Sequence, residues 1–343
     1  SPKNIVAKSY CLIDASTAQI IAGENYNDKL PIASTTKIMT ALIALEQEKK
    51  YDYFTVDENA IKVEGTSMGL RAGDRISFYE LAKGMLLCSG NDAANAAAYA
   101  ISGNNNAFAE VMNNRATELG LKSTNFVTPS GLHDDNHYST AYDMALLTRY
   151  AINNDDFLSI CSQKEMYANF GNPPKDRYFK NHNKLLEMVD GCIGVKTGYT
   201  KKAGRCLVSA CTRNGVTLIA VTLNAADDWN VHKDLYDYGF NKIAINPISN
   251  DMCYEIDIVG GTEEKLKAFC DGEIFTTVDE NNISNLKKEV LLQKFYYAPL
   301  KAGQQVGTIN FYLEDKKVAS CPLVVKKGVE KIEYQKKKWF IFK

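Results

Sequence analysis

The sequence predicts a two-domain protein of the α/β (α+β) class, and the hydrophobic pattern carries this prediction. Apolar runs at residues 38–45 and 79–87 predict buried helices. Shorter apolar runs at residues 192–195 and 206–210 indicate the two strands of a hairpin. At 343 residues and 45% hydrophobic composition, the chain is long enough for two domains with at least one sizeable core.

The hydrophobic pattern changes near residue 247, beyond which helix-period segments become rare. Segments 254–259 and 308–313 alternate between apolar and polar residues, as half-buried strands do. We therefore divide the chain into a larger domain of residues 1–247 and a β-rich, sandwich-like domain of residues 248–343.

The motif Ser34-Thr35-Thr36-Lys37 places a lysine where electrostatics disfavours one. If residues 38–45 form a helix, Ser34 lies at its N-terminus and Lys37 in its first turn. This end of a helix carries a partial positive charge, and a capping box would have Glu or Gln at the position of Lys37. A local rule broken without visible compensation is typical of a functional site.

The spacing of Ser34 and Lys37 permits a specific chemistry. A helix places residues three apart on one face, so the amine of Lys37 can reach the hydroxyl of Ser34. Burial and the helix dipole both lower the pKa of such a lysine, and a serine beside a neutral amine is an activated nucleophile. The alternative is an N-cap serine with a lysine that extends into solvent. Ser-x-x-Lys strings also arise by chance, as at residues 284–287.

A second motif, Ser89-Gly90-Asn91, separates the run at 79–87 from the alanine-rich run at 92–98. A helix stop at Gly90 explains the same residues. Another Ser-Gly-Asn occurs at 102–104. We favour the first copy, because a loop between two apolar helices can hold its side chains toward an interior cleft, whereas the second copy begins a polar run.

A third motif, Lys196-Thr197-Gly198, lies between the strand-like runs 192–195 and 206–210. This context places it on a strand of the predicted hairpin. The alternative is a surface strand that ends in a glycine turn. Of the three motifs, Lys-Thr-Gly is the rarest by chance.

Ser-x-x-Lys, Ser-x-Asn and Lys-Thr-Gly, at residues 34, 89 and 196, are the signatures shared by penicillin-binding proteins and serine β-lactamases. The chain most resembles the low-molecular-mass penicillin-binding proteins that act as serine-type D-alanyl-D-alanine carboxypeptidases. The resemblance is strong over about residues 5–245 and weaker beyond. It includes further segments at residues 12–15, 31–40, 125–126, 129–132, 137–145, 196–200 and 203–204.

The resemblance implies a fold and a set of catalytic residues. The implied fold is the penicillin-binding/β-lactamase-like transpeptidase fold, an antiparallel sheet flanked by helices, with a small C-terminal β domain. Ser34 corresponds to the acylated nucleophile and Lys37 to the base that deprotonates it. Ser89 corresponds to a residue that relays a proton to the leaving amine.

Binding roles are implied for Asn91, Lys196, Thr197, Gly198 and Tyr199. Asn91 would hydrogen-bond the peptide of the substrate, and Lys196 would supply positive potential. Thr197 would bind the terminal carboxylate of the D-alanine. The backbone N–H groups of Ser34 and Tyr199 would form the oxyanion hole.

The chain departs from the family at the carboxylate-binding arginine. Several members carry this arginine near the position of residues 225–229, where this chain has none. Carboxylate binding would then rest more on Thr197. Arg205 and His182 are candidate substitutes, and each also suits a structural role. Some members have a histidine in place of Tyr199, which leaves a backbone role unaffected.

The implied function is removal of the terminal D-alanine of peptidoglycan stem peptides through an acyl-enzyme, with acylation by penicillins and other β-lactam antibiotics. A β-lactamase of the same fold and a non-catalytic penicillin-sensing domain are the alternatives. A β-lactamase needs a carboxylate between the second and third motifs to activate water, and commonly has Ser-Asp-Asn in place of Ser89-Gly90-Asn91. A sensor normally accompanies transmembrane segments, and this sequence contains no apolar run of about 18 residues.

Composition excludes several other classes of partner and site. The net charge of −1 argues against a nucleic-acid partner. The four histidines form no cluster with metal-ligand spacing, so we expect neither a metal nor a cofactor. Most of the nine cysteines, among them Cys88, Cys206 and Cys211, lie in apolar runs and are expected to be buried thiols. A disulfide within the second domain is compatible with the sequence, which does not assign its partners.

We expect an exported protein at the outer face of the bacterial cytoplasmic membrane or in the cell wall space. The chain begins at Ser1 without a methionine, which fits a processed protein. Residues 326–343 carry seven lysines against two glutamates and end with aromatic residues. This composition suits a membrane interface, although a last strand with a lysine-rich edge would explain it too. The resemblance favours a truncated membrane anchor.

Overall fold

The computed structural model describes residues 2, 5–243, 246–248, 252–278 and 280–332. The chain forms two compact units, Ser1–Ile243 and Ala244–Lys343. No helix among the described residues is long and apolar enough to cross a membrane. Most of the basic and aromatic end that we predicted as an anchor, residues 333–343, lies outside the described part of the chain.

The first unit combines helices and strands, as predicted. Its helices are α1 (Lys37–Leu45), α2 (Phe78–Leu87), α3 (Asn91–Ser102), α4 (Asn105–Glu118), α5 (Ala141–Ala151), α6 (Asp155–Cys161), α7 (Leu185–Met188) and α8 (Asp228–Lys242). Its strands are β1 (Ser9–Asp14), β2 (Ile20–Glu24), β3 (Phe54–Thr55), β4 (Arg75–Ile76), β5 (Glu165–Gly171), β6 (Pro174–Lys180), β7 (Cys192–Thr200), β8 (Gly204–Arg213) and β9 (Val216–Leu223).

A five-stranded antiparallel sheet of order β2-β1-β9-β8-β7 is the frame of this unit. Side chains alternate between its two faces, so each strand contributes to two apolar layers. Helix α8 packs on one face, where a side chain at Gly239 would come within 2.7 Å of Leu12 and Leu218. The opposite face joins a core shared with the remaining helices, which contains Ile13 and Val221. Strand β7 lies at one edge of the sheet and carries the motif Lys196-Thr197-Gly198.

Helix α1 is buried along its whole length, as its apolar sequence predicted. It begins at Lys37, however, and Ser34 lies in a preceding 3-10 turn at Ala33–Thr36. Lys37 thus lies in the first turn of α1, as predicted, but the N-cap residue is Thr36 and not Ser34. Ala33, the first residue of this turn, adopts a left-handed backbone with φ +48°.

The second unit is built almost entirely of strands. They are β10 (Asn246–Ile248), β11 (Cys253–Val259), β12 (Lys265–Cys270), β13 (Ile274–Thr276), β14 (Lys287–Leu292), β15 (Tyr296–Tyr297), β16 (Gln305–Leu313) and β17 (Lys316–Val325), with one short helix, α9 (Glu280–Ile283). A six-stranded sheet of order β14-β16-β17-β12-β11-β15 accompanies the β10-β13 pair. A disulfide joins Cys270 to Cys321 within this unit.

Four of the six cysteines of the first unit are buried, as predicted, and Cys88 and Cys192 are the exceptions. Cys206 and Cys211 are buried free thiols, whereas Cys88 is only partly buried. Cys88 is the C-cap residue of α2, directly before Ser89, so it lies beside the cleft described below rather than inside the core.

Candidate active site

The catalytic motifs meet at an open cavity of about 330 Å³. The 3-10 turn, the junction between α2 and α3, and β7 all contribute to it. Its lining residues are Ser34, Thr66, Ser89, His182, Thr197, Gly198, Tyr199, Arg205, Asp228 and Trp229. Lys37, Asn91 and Lys196 are buried directly behind this surface.

The amine of Lys37 has three hydrogen-bonding contacts. It lies 2.9 Å from Ser34 Oγ, 2.7 Å from Asn91 Oδ1 and 2.7 Å from the carbonyl oxygen of Ser130. The last two atoms can only accept a hydrogen bond, whereas the Ser34 hydroxyl can also donate one. A neutral amine would therefore use its two N–H groups for Asn91 and Ser130 and offer its lone pair to Ser34.

The environment of Lys37 favours this neutral form. Its side chain is fully buried, and burial holds the pKa of Lys37 well below the ordinary value of 10.5. The positive charge of Lys196 lowers the pKa further. The sequence predicted this direction from burial and the helix dipole, and Lys196 adds a cause that only the fold reveals.

The junction between α2 and α3 holds Ser89 and Asn91 in fixed positions. Ser89 is buried and has φ +61°, a left-handed backbone that is uncommon for serine. Asn91 is the first residue of α3, and its Nδ2 donates to the carbonyl oxygen of Glu64 over 2.7 Å. Thr66 donates from Oγ1 to the carbonyl oxygen of Ser89, also over 2.7 Å. The segment around Thr66 thus packs onto the junction.

Asp92 fixes the same segment from the other side. Its buried carboxylate accepts hydrogen bonds from Ser67 Oγ and from the backbone N–H groups of Met68, Gly69 and Leu70, at 2.6–3.0 Å. A carboxylate that accepts hydrogen bonds from several backbone N–H groups stabilises a loop whose N–H groups have no partners in a helix or sheet. The sequence suggested only that Asp92 begins a helix.

Lys196 lies on the inner face of β7, with 1% of its surface exposed. Its amine donates to the carbonyl oxygen of Thr197 over 2.8 Å. Burial lowers the pKa of Lys196 to about 7. Among the described contacts it forms no direct hydrogen bond with Ser89, so its influence on the site is exerted through its charge.

Gly198 allows β7 to approach the 3-10 turn closely. A side chain at this position would lie 3.0 Å from the backbone nitrogen of Ser34 and 3.1 Å from that of Thr35. A larger residue here would require the strand or the turn to shift by a few tenths of an ångström. Ser34 and Tyr199 both line the cavity, and the oxyanion hole that their N–H groups would form stays a prediction. The ring of Tyr199 is 65% exposed.

A buried histidine, His137, supports the 3-10 turn from behind. Its Nδ1 accepts hydrogen bonds from the N–H groups of Val127 and Thr128, so its Nε2 carries the proton and donates to Thr36 Oγ1 over 2.8 Å. Thr36 in turn donates to the carbonyl oxygen of Ala33. Burial lowers the pKa of His137 to about 4, so the ring is neutral near pH 7.

Two residues considered for carboxylate binding, Arg205 and His182, both line the cavity. Arg205 forms a salt bridge with Asp228 and lies over the ring of Trp229. His182 is exposed, and burial of part of its ring together with the charge of Lys196 lowers its pKa.

The structure therefore brings every predicted site residue to this cavity or directly behind it. The second Ser-Gly-Asn copy lies elsewhere, because Ser102 is the last residue of α3 and Gly103 its C-cap. Sequence reasoning missed the roles of the Ser130 carbonyl, Asp92 and His137. The segments that contain Ser130 and His137 had been noted only as part of the family resemblance.

Comparison with known proteins identifies the family. A family model described as D-alanyl-D-alanine carboxypeptidase matches residues 1–227. The chain belongs to the D-alanyl-D-alanine carboxypeptidase family. A second family model, described as the C-terminal domain of penicillin-binding protein 5, matches residues 246–331.

Individual relatives agree with this assignment. The chain is 34% identical to the D-alanyl-D-alanine carboxypeptidase DacC of Escherichia coli (strain K12), over 95% of this chain and 85% of that protein. It is 30% identical to DacF of Bacillus subtilis (strain 168), over 95% of this chain and 86% of that protein. The solved structure of penicillin binding protein 5 from Haemophilus influenzae matches with a TM-score of 0.66 and 30% identity, covering 96% of this chain and 99% of that one.

The family confirms the fold and the enzyme class predicted from the sequence. The chain is a serine-type D-alanyl-D-alanine carboxypeptidase, and therefore a peptidase and a hydrolase. It has the penicillin-binding fold with a separate C-terminal β domain.

Proposed function

We propose that this enzyme removes the terminal D-alanine from peptidoglycan stem peptides through an acyl-enzyme on Ser34, with Lys37 as the base. The observation that carries this proposal is the set of contacts around Lys37. Two obligate acceptors, Asn91 Oδ1 and the Ser130 carbonyl, engage its N–H groups, which leaves its lone pair for the Ser34 hydroxyl 2.9 Å away.

Acylation begins with attack of Ser34 Oγ on the carbonyl carbon between the two D-alanines. The hydroxyl proton passes to Lys37 Nζ as the new C–O bond forms. The backbone N–H groups of Ser34 and Tyr199 stabilise the oxyanion of the tetrahedral intermediate. The C–N bond then breaks as the proton that Lys37 accepted passes by way of Ser89 to the leaving amine. D-alanine departs, an ester remains on Ser34, and Lys37 is neutral again.

Deacylation repeats these steps with water as the nucleophile. Lys37 accepts a proton from the water as it attacks the ester carbonyl, and it returns this proton to the Ser34 oxygen when the ester bond breaks. Asn91 retains one N–H beside the one donated to Glu64, and this group is available to a carbonyl of the substrate. In the acylation step, before D-alanine departs, Thr197 and the field of Lys196 receive the terminal carboxylate of the substrate.

The alternative of a β-lactamase lacks a suitable carboxylate. Among the described residues that line the cavity, Asp228 is the only one with a carboxylate, and it is bonded to Arg205. It is therefore not free to activate a deacylating water. We expect β-lactam antibiotics to acylate Ser34, because they present an amide carbonyl and a carboxylate to the same groups. The resulting ester should hydrolyse slowly, because Asp228 is not free to activate a water molecule.

We also propose that the enzyme acts outside the cytoplasmic membrane, because stem peptides ending in D-Ala-D-Ala are found there. A C-terminal membrane anchor remains part of this proposal.

Release of D-alanine from a synthetic acyl peptide ending in D-Ala-D-Ala tests the proposal, with β-lactam hydrolysis measured alongside. We expect turnover of the peptide, slow turnover of the β-lactam, and loss of both in Ser34→Ala. Ser284→Ala is the matched control, because Ser284 belongs to the chance Ser-x-x-Lys string in the second unit. Faster turnover of the β-lactam than of the peptide would indicate a β-lactamase. Acylation without turnover of either compound would indicate a sensor.

A further inference from the structure

We propose that Arg205 is the cation that binds the terminal carboxylate of the substrate, and that Asp228 and Trp229 orient it for this role. The inference rests on the proposed function and names the residue that replaces the arginine missing from residues 225–229.

The register of the sheet places Arg205 beside Thr197. In the β7–β8 pair, Tyr199 is opposite Arg205 and Thr197 is opposite Leu207. Opposed residues share a face and alternate residues return to it, so Arg205 and Thr197 are diagonal neighbours on the same face of the sheet. Both line the cavity that contains Ser34, whereas the adjacent Lys196 points to the opposite, buried face.

The guanidinium of Arg205 is held on one edge only. Its Nε and Nη2 atoms donate to Asp228 Oδ1 over 3.0 and 2.6 Å, and its carbon lies 5.4 Å from the centroid of the Trp229 ring. The side chain of Asp228 is 3% exposed, whereas that of Arg205 is 40% exposed. Arginine has five N–H groups, and Nη1 donates to no atom among the described residues. The free edge is therefore available to a ligand in the cavity.

Charge also favours Arg205 over the other cation of the site. Lys196 is buried, donates to the Thr197 carbonyl, and has a pKa lowered to about 7, so it is only partly charged at neutral pH. A guanidinium remains charged at any physiological pH, and its planar donors match a carboxylate. Arg205 thus supplies N–H donors that stay charged on the same face of the sheet as Thr197.

A second arginine on the same strand provides a matched control. Like Arg205, Arg213 pairs with an aspartate of α8, and its Nη1 lies 3.7 Å from Asp237 Oδ1. Its guanidinium lies over an aromatic ring of α8, that of Phe240. It is not among the residues that line the cavity. If Arg205 served only to attach β8 to α8, the two arginines would behave alike.

The test compares Arg205→Gln with Arg213→Gln on acyl-D-Ala-D-Ala and on the same peptide amidated at its C-terminus. We expect the wild type to prefer the free acid. Arg205→Gln should lower kcat/KM for the acid by about 10- to 100-fold, mainly through KM, and leave the amide unchanged. Arg205→Lys should recover part of the preference, and Arg213→Gln should retain all of it. Asp228→Asn should raise KM for the acid less than Arg205→Gln does.

A parallel measurement separates this inference from the proposed function. The rate of acylation by a penicillin and by its methyl ester, followed by intact mass, reports carboxylate binding without any peptide turnover. If the wild type forms the adduct but releases no D-alanine, the proposed function is wrong, and the acid-to-ester ratio still tests Arg205. An unchanged acid preference in Arg205→Gln would overturn the inference. So would an equal loss of rate on the acid and the amide, and on the penicillin and its methyl ester.

Discussion

The amine of Lys37 donates to Asn91 Oδ1 over 2.7 Å, although the two residues are 54 positions apart. This bond joins the first turn of α1 to the first turn of α3. It gives Asn91 a structural role in addition to the proposed binding of substrate, because the amide oxygen fixes the amine of Lys37 in the position from which its lone pair reaches Ser34. The relationship makes the protonation state of Lys37 the centre of the mechanism.

Replacement of Lys37 by arginine should abolish the base while keeping a long polar side chain. A guanidinium stays protonated and cannot accept the proton of Ser34. We expect Lys37→Arg to slow acylation by a penicillin by about 10²- to 10⁴-fold, measured by intact mass over time.

Lys83→Arg is the control for that experiment. Lys83 is also a buried lysine, but it lies 2.9 Å from Glu80 Oε1 and so functions as a cation. Arginine preserves the charge, and the acylation rate should stay within about threefold of the wild type. Near-native acylation in Lys37→Arg would show that another group is the base.

The pH dependence of kcat/KM should report both buried lysines. Activity should rise as Lys37 loses its proton, because only the neutral amine is a base. It should fall again as Lys196, whose pKa is about 7, loses the positive charge that it adds to the field of the cavity beside Arg205. In Lys196→Arg the cation does not titrate, so the descending limb should move to much higher pH. A descending limb that is identical in the variant would assign it to a different group.

Only the first of the two Ser-Gly-Asn copies should affect turnover. Ser89 lines the cavity, whereas Ser102 ends α3. Ser89→Ala should reduce kcat by about 10²-fold or more if a proton transfer is lost. Ser102→Ala should leave the kinetics unchanged. Thermal unfolding of both variants checks that neither effect arises from stability, and equal losses of kcat would contradict the proton-relay role.

The free energy of unfolding should decrease as the pH falls from about 6.5 to 4. His137 binds a proton in the unfolded chain at its ordinary pKa of 6.5, but in the folded protein only at about 4. Its folded-state pKa is depressed, so its contribution is fully present above pH 6.5 and is lost below it, to a maximum of roughly 3 kcal/mol. Protonation of Nδ1 would also break the bonds from Val127 and Thr128.

Denaturant titrations of His137→Gln across this pH range measure that contribution. The variant should be less stable at pH 7 and should show a shallower pH dependence than the wild type. His133→Gln, at an exposed histidine whose charge is a smaller cause of the His137 pKa shift than burial is, is the control and should change the slope much less. An unchanged slope in His137→Gln would mean that other groups account for the acid sensitivity.

The sequence predicted those parts of the site that depend on local pattern. The all-apolar run after Lys37 identified α1, and the apolar runs on either side of Lys196-Thr197-Gly198 identified the β7–β8 hairpin, because helices and hairpins are set by neighbours in the chain. The family motifs then identified which serine and lysine to pair.

The parts that it missed depend on contacts between distant segments. The Ser130 carbonyl reaches Lys37 across 93 positions and His137 reaches Thr36 across 101, and neither pairing leaves a local pattern. The 3-10 turn was missed for a similar reason. The backbone of Ala33 packs closely on Gly131, and a Cβ atom at position 131 would lie 1.9 Å from the carbonyl oxygen of Ala33.

The most direct test of the account is the site of the covalent adduct. The enzyme is incubated with a penicillin, digested, and analysed by tandem mass spectrometry. We predict a penicilloyl group on the oxygen of Ser34 and none on Ser89 or Ser284. An adduct on another residue would contradict the assignment of Ser34 and Lys37 as nucleophile and base. The absence of an adduct in a folded enzyme that still binds the carboxylate of the penicillin would contradict it too.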